Sequence, residues 1–350
     1  MMSICRRALL VAFGAFLFGG TATAQDYPVR PVKIVVPFPA GGSNDIIARL
    51  LAQKLGERTG QTFLIENRGG AGGNIGADAV ATSEPDGYTL LLTAPPPLTI
   101  NAALYKSLPY DPAKAFAPVA LIASVPIVLA VHPSVQAGNV MELIALAKAK
   151  PGTLNFGSSG NGSTNHLAGE LLKSMTGIDI VHLPYRGAAP AMNDLIAGHI
   201  PMMFDNIPAV LPQVQAKTIK AIAVAGAKRA TALPDVPTVA ESGVPGFEAS
   251  AWFGLVAPAK TPAAVLAKLV NEVDAILKLP DVQKRFTELG AEPADISGAA
   301  FGRFLADETT KWTKIIQSSG ATGFLISAGS PIRVYASPKM PRLNGERPLL

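Results

Sequence analysis

The chain has 350 residues and a formal charge of +5, with 49% apolar and only 16% charged residues. That apolar share is too large for a disordered chain, and the length supports two domains with a sizeable core. The charge excludes less than it suggests: Arg6 and Arg7 supply two of the five, the segment past 320 supplies three, and residues 25–320 balance at 24 bases and 24 acids. A neutral body gives no warrant for a nucleic-acid partner.

Residues 1–24 read as a secretory signal. Arg6 and Arg7 form its positive start, 8–20 is an uncharged apolar run, and Ala22-Thr23-Ala24 is a small-x-small cleavage site. Cleavage after Ala24 is expected to release a periplasmic chain starting at Gln25. Cys5 is the single cysteine and lies before the apolar run, so the mature chain would carry no disulfide, thiolate metal site or cysteine nucleophile. At the other end, four X-Pro breaks and a basic excess make 321–350 read as an unpacked tail.

Between these ends, short β-rich apolar runs alternate with helical patterns. Strands are expected at 32–36, 62–66 and 88–93, with a helix at 45–58 whose apolar face carries Ile46, Ile47, Leu50, Leu51 and Leu55. The same grammar repeats in the middle. Strands are expected at 127–131, 154–156, 179–182, 200–204 and 219–224, and helices at 140–149, 166–175 and 188–197. The last third adds a strand at 251–257 and helices at 263–277, 282–289 and 299–317. Alternation of this kind implies doubly wound parallel sheets. The final third is too small for a third domain and is expected to complete the first. Domain 1 is then 25–124 plus 247–320 and domain 2 is 125–246. Two crossings, near 123–126 and 245–250, would form a hinge beside a cleft, a common place for a ligand.

Two loops carry the chemistry. Pro37-Phe38-Pro39-Ala40-Gly41-Gly42-Ser43-Asn44-Asp45 leaves the first strand and opens the first helix. Glycines let the backbone approach a guest, and a helix start offers free N–H donors and partial positive charge, which suits a carboxylate. Phe38, Ala40, Gly41, Gly42, Ser43 and Asp45 are the candidates here, although Ser43 or Asp45 could instead cap the helix. The second loop, 156–166, again joins a strand to a helix and is dense in hydroxyls and amides. Its candidates are Ser158, Ser159, Asn161, Ser163 and Asn165. Tyr185, Arg186 and Asp205 follow later strands, at the strand ends that line the crevice of open α/β sheets. Arg186 could hold a second carboxylate, and Asp205 could accept from a ligand amine or hydroxyl.

Other chemistries find less footing. Neither loop is G-x-G-x-x-G and no Walker lysine follows, so no nucleotide cofactor is expected. The glycine run 69–73, taken alone, reads as an ordinary turn. His132, His166, His182 and His199 show no metal-ligand spacing. The alternative function is a secreted serine hydrolase using Ser159 and His166, but the G-x-S-x-G elbow fails at Asn161.

These pieces resemble a known family. Val35-Val36-Pro37-Phe38-Pro39-Ala40-Gly41-Gly42 with Asp45-Ile46-Ile47-Ala48-Arg49 resembles the opening signature of the tripartite tricarboxylate transporter receptors, the Bug family. Residues 66–76 and 85–91 look like its next two signatures, and 155–170 with Pro184-Tyr185-Arg186-Gly187 its central ones. The resemblance runs from about 27 to about 320. It implies a non-enzymatic periplasmic solute receptor, with two α/β domains of the type II periplasmic-binding-protein kind closing like a flytrap. It implies a small carboxylate ligand: a di- or tricarboxylate, an acidic amino acid or an aromatic acid. It also implies delivery to a membrane permease pair, and a monomer is expected. Thr93-Ala94-Pro95-Pro96-Pro97 departs from the family, where small polar residues are usual. Thr93 stays a candidate, but three prolines remove N–H donors and suggest a less polar wall.

Overall fold

The computed structural model describes residues 27–319. The signal sequence with its cleavage site, and the tail past 320, lie outside the described residues. Among the described residues no helix is long and apolar enough to cross a membrane.

The first half is built outward from β1 (Val32–Val36), whose side chains are buried on both faces except Lys33. A strand buried on both sides belongs in a parallel sheet covered by helices. Accordingly β2 (Phe63–Asn67) and β3 (Thr89–Thr93) pair with it in parallel, one on each side. Helix α1 (Ser43–Thr59) follows β1 and buries Ile47, Leu51 and Leu55. It stops at Gly60, whose φ of 71° lets its N–H close on the Gly56 carbonyl. Helix α2 (Asn74–Ala81) follows β2, and a π-helical turn (Pro96–Ile100) leads to the short α3 (Asn101–Leu104).

The longest strand, β4 (Phe116–Val131), belongs to both halves. Its first part pairs antiparallel with β9 (Ser250–Pro258) and β10 (Glu292–Ser297). From Ile127 onward it pairs antiparallel with β7 (Met202–Asn206) and β8 (Lys220–Val224) instead. Beyond β7 lie β5 (Asn155–Ser158) and β6 (Val181–Pro184), parallel to one another. The partner change falls where Pro126 pairs with Ser250. Helices α4 (Val140–Ala149), α5 (Thr164–Thr176), α6 (Ala188–Ile196) and α7 (Ile207–Gln215) cover the second half.

The chain then returns to the first half with α8 (Ala263–Leu277), α9 (Pro280–Glu288) and the 22-residue α10 (Gly298–Ser319). Arg58 at the end of α1 reaches Glu272 of α8 at 2.7 Å, which ties the returning segment to the opening one. Trp312 and Ile316 of α10 pack with Leu104 and with Leu167 of α5, so the final helix touches both halves.

The helix and strand order expected from sequence is present, with corrections. The sheets are mixed, not wholly parallel, because the strands that cross between halves run against their neighbours. No strand is expected from the sequence at 116–126, yet these residues are strand. The register slips between Pro118 and Ala120, and a proline without an N–H is tolerated at such a bulge. Helix α7 is not among the helices expected from sequence; its Pro208 sits in the first turn, where its missing N–H costs nothing.

Candidate functional site

An outer cleft of about 750 Å³ opens between the halves. Phe38, Pro39 and the glycine run 69–73 form one side; Ser159, Gly160, Asn161, Tyr185 and the exposed Arg186 form the other. Deeper lies a chamber of about 40 Å³ that shares Phe38, Pro39 and Ser159 with the cleft.

Four helix starts meet at this chamber. Gly42, Ser43 and Asn44 bring the start of α1, and Ser163, Thr164 and Asn165 that of α5. Ala188 begins α6, and Asn206 is the N-cap of α7. Each start carries free N–H groups and partial positive charge. No Lys, Arg or His lines the chamber. Attraction for an anion there rests on the backbone N–H groups, against the one acid of the lining, Asp205. The remaining wall is apolar, from Phe38, Pro39, Ala94, Pro96 and Phe253, except for Ser159 and the carboxyl of Asp205.

The loop before α1 is held from behind. Asp45 Oδ2 accepts from Gly41 N (3.0 Å) and Arg49 Nε (2.9 Å), and Oδ1 accepts from Asn67 Nδ2 (2.9 Å). Burial raises the Asp45 pKa, but the bonds from Arg49, Gly41 and Asn67 outweigh it and hold the carboxyl below its usual value. Asn67 Nδ2 also donates to the Phe38 carbonyl. With its amide turned to satisfy both neighbours, Asn44 donates through Nδ2 to Leu92 O and accepts through Oδ1 from Ala94 N, which joins α1 to the end of β3.

The opposite loop is shaped by its own network. Ser163 caps α5 by accepting from His166 N and donating to Gly160 O. Ser158 Oγ bonds His182 Nε2 at 2.6 Å. Asn165 Nδ2 reaches Asp205 Oδ1 at 2.9 Å and Ser159 Oγ at 3.3 Å. Asp205 is fully buried, and burial pushes its carboxyl up to about 7 against the bonds from Asn206 N and Asn165. Three atoms of chamber residues are buried without a partner: Ser43 Oγ, Asp205 Oδ2 and Asn206 Oδ1.

Of the candidates from sequence, the chamber gathers Phe38, Gly42, Ser43, Ser159, Ser163, Asn165 and Asp205, and the outer cleft Asn161, Tyr185 and Arg186. Ala40 and Gly41 lie outside both linings. Asp45 and Ser158 are turned into their own loops, and Thr93 Oγ1 donates to the Ala94 carbonyl. Sequence reasoning left out Asn206, Phe253 and Tyr105. Asn206 stood beside Asp205 and was legible; Phe253 comes from the distant strand β9 and carries no local signal.

The hydrolase alternative does not survive this geometry. His166 Nδ1 accepts from Gly162 N, its Nε2 faces Glu170, and Ser159 pairs with Asn165. Nucleophile and base are not in contact, as acyl transfer would require. Among the described residues, no group of three or more His, Cys, Asp or Glu side chains converges to hold a metal.

Comparison with known proteins agrees with this architecture. Residues 47–321 match the family model described as "Tripartite tricarboxylate transporter family receptor". Protein BugT of Bordetella pertussis is 38% identical over 318 residues, covering 89% of this chain and 98% of the relative. An R. palustris protein solved with adipate is 41% identical with a TM-score of 0.83, covering 85% of this chain and 99% of that one. MatC from Rhodopseudomonas palustris with bound malate is 34% identical with a TM-score of 0.78, covering 83% of this chain and 100% of its own. These relatives are solute-binding receptors and not enzymes, and this chain belongs to the tripartite tricarboxylate transporter receptor family.

Proposed function

We propose that this receptor captures a small carboxylate in the cleft between its halves and presents it to a membrane permease pair of the tripartite tricarboxylate type. The observation that carries the reading is the meeting of four helix starts, with no basic side chain, at one buried chamber. Oriented N–H groups bind an anion without a fixed counter-charge, which allows release as well as capture. The solved relatives with adipate and malate support the same ligand chemistry.

The reading includes a hinge where β4 changes partners near Pro126 and where the chain re-enters at Ser250. Domain 1 is then 25–124 with 247–320, and domain 2 is 125–246. A signal cleaved after Ala24 places the receptor in the periplasm as a monomer. The ligand's acid group sits against Gly42–Asn44 and Ser163–Asn165. Arg186 in the outer cleft draws anions toward the mouth.

A thermal-shift panel of small carboxylates tests the proposal. Ligand at a hundred times its dissociation constant adds about 3 kcal/mol to stability, so a raised melting temperature with at least one acid is expected. A panel that leaves the melting temperature unchanged throughout overturns the reading.

A further inference from the structure

We infer that Asp205 and Asn206 form an acceptor subsite that selects carboxylates bearing a hydroxyl or ammonium group beside the acid; the inference rests on the carboxylate reading above. Asp205 is fully buried at the end of β7. Its Oδ1 already accepts two bonds, from Asn165 Nδ2 at 2.9 Å and Asn206 N at 2.8 Å. Its Oδ2 is buried without a partner, and so is Asn206 Oδ1 of the next residue. Both residues line the inner chamber, where Ser43 Oγ is the third unpartnered atom.

The chemistry of these three atoms is unequal. A serine hydroxyl donates or accepts; an amide oxygen only accepts, and so does the Asp205 carboxylate once ionised, above its raised pKa of about 7, where the titrations below are run. The helix starts supply donors for a ligand acid. A second acid oxygen placed at Oδ2 would set acceptor against acceptor. A hydroxyl or ammonium there gives Oδ2 and the Asn206 oxygen their missing donor. A ligand without that group leaves both acceptors buried and unmatched, a penalty that sites built around a ligand hydroxyl use to reject its deoxy analogue.

The test uses matched ligands differing only at the carbon next to the acid. Succinate, malate and aspartate carry hydrogen, hydroxyl and ammonium there; phenylacetate and mandelate repeat the contrast in an aromatic series. Titration calorimetry on the mature wild-type chain is expected to show malate, aspartate or mandelate binding at least about ten-fold tighter than its plain analogue. In Asp205→Asn the new amide donates at this point, so the preference should vanish or invert toward the plain acid. Asn206→Ala, with Asp205 intact, should reduce the preference without inverting it, and serves if the first variant fails to fold. Equal binding of plain and substituted acids by the wild type, or a preference that survives both substitutions, overturns the inference while leaving carboxylate capture standing. Absence of binding by every acid overturns the carboxylate reading, and this inference with it.

Discussion

Gly187 stands against the ring of Pro39: a β-carbon built on it would lie 2.7 Å from Pro39 Cγ and 2.9 Å from Cδ. Pro39 follows β1 in the first half, and Gly187 precedes α6 in the second. The contact is therefore made across the cleft. Gly187 also has φ of 145°, which disfavours any side chain. Gly187→Ala should hold the two loops apart. Overpacking of this kind costs about 1–3 kcal/mol, roughly a 5- to 150-fold rise in Kd. Calorimetry with whichever acid the panel identifies checks this; an unchanged Kd would show that the contact plays no part in the liganded state.

Much of this architecture was legible because β1 and the 127–131 stretch are apolar on both faces, a pattern that only a covered strand sustains. The two helix-start loops were legible for a similar reason: glycine and hydroxyl residues sit between a strand and an amphipathic run. Two things were not. Strand β10 is half-exposed and polar, so no period marks it. The orientation of Asp45 depends on Asn67, 22 residues away, and a contact of that span leaves no local trace.

That orientation makes Asp45 a brace for the ligand loop. Asp45→Ala would strip Gly41 N of its acceptor, leave Asn67 Nδ2 with only the Phe38 carbonyl and leave Arg49 with only Asn67 Oδ1. Loss of such buried bonds costs about 1–3 kcal/mol, read as a lower urea midpoint, and the loosened loop should weaken ligand binding as well. Asp45→Asn keeps an acceptor and should lose less. If the alanine variant binds ligand as the wild type does, the loop holds its shape without the brace.

Acid should also loosen the opposite loop. The rings of His166 and His182 stack with centroids 3.9 Å apart beneath the Ser158–Asn165 turn. Burial, with Lys173 adding repulsion, lowers His166 to about 4; burial, then His166 and Lys173, lowers His182 to about 3. Both are neutral in the folded protein well below the ordinary value of 6.5. The unfolded chain takes up these protons first, so stability is complete above pH about 6.5 and is lost as pH falls toward 4. At pH 5 the loss is roughly 2 kcal/mol per histidine. Asp205, raised by burial to about 7, takes up a proton in the folded state over the same range and offsets part of this loss. Urea midpoints at pH 7 and pH 5 are therefore compared between the wild type and a variant with both histidines replaced by glutamine, which should lose less stability on acidification; the same change in both proteins would refute it.

Glu308 fastens the last helix to the sheet. Its Oε2 accepts from Trp252 Nε1 on β9 at 2.8 Å and from Trp312 Nε1 on α10 at 2.9 Å. The chain has only these two tryptophans, so selectively excited tryptophan fluorescence reports this one junction. Glu308→Ala would leave two buried indole donors unpartnered. At about 1–3 kcal/mol for each orphaned group, the melting temperature should fall by several degrees, with a red-shifted emission. Glu308→Gln retains an acceptor oxygen and should lose less than half as much. If the alanine variant melts where the wild type does, the packing of Phe301 and Trp312 alone holds α10 in place, and the carboxylate merely satisfies groups that solvent can reach once the helix breathes.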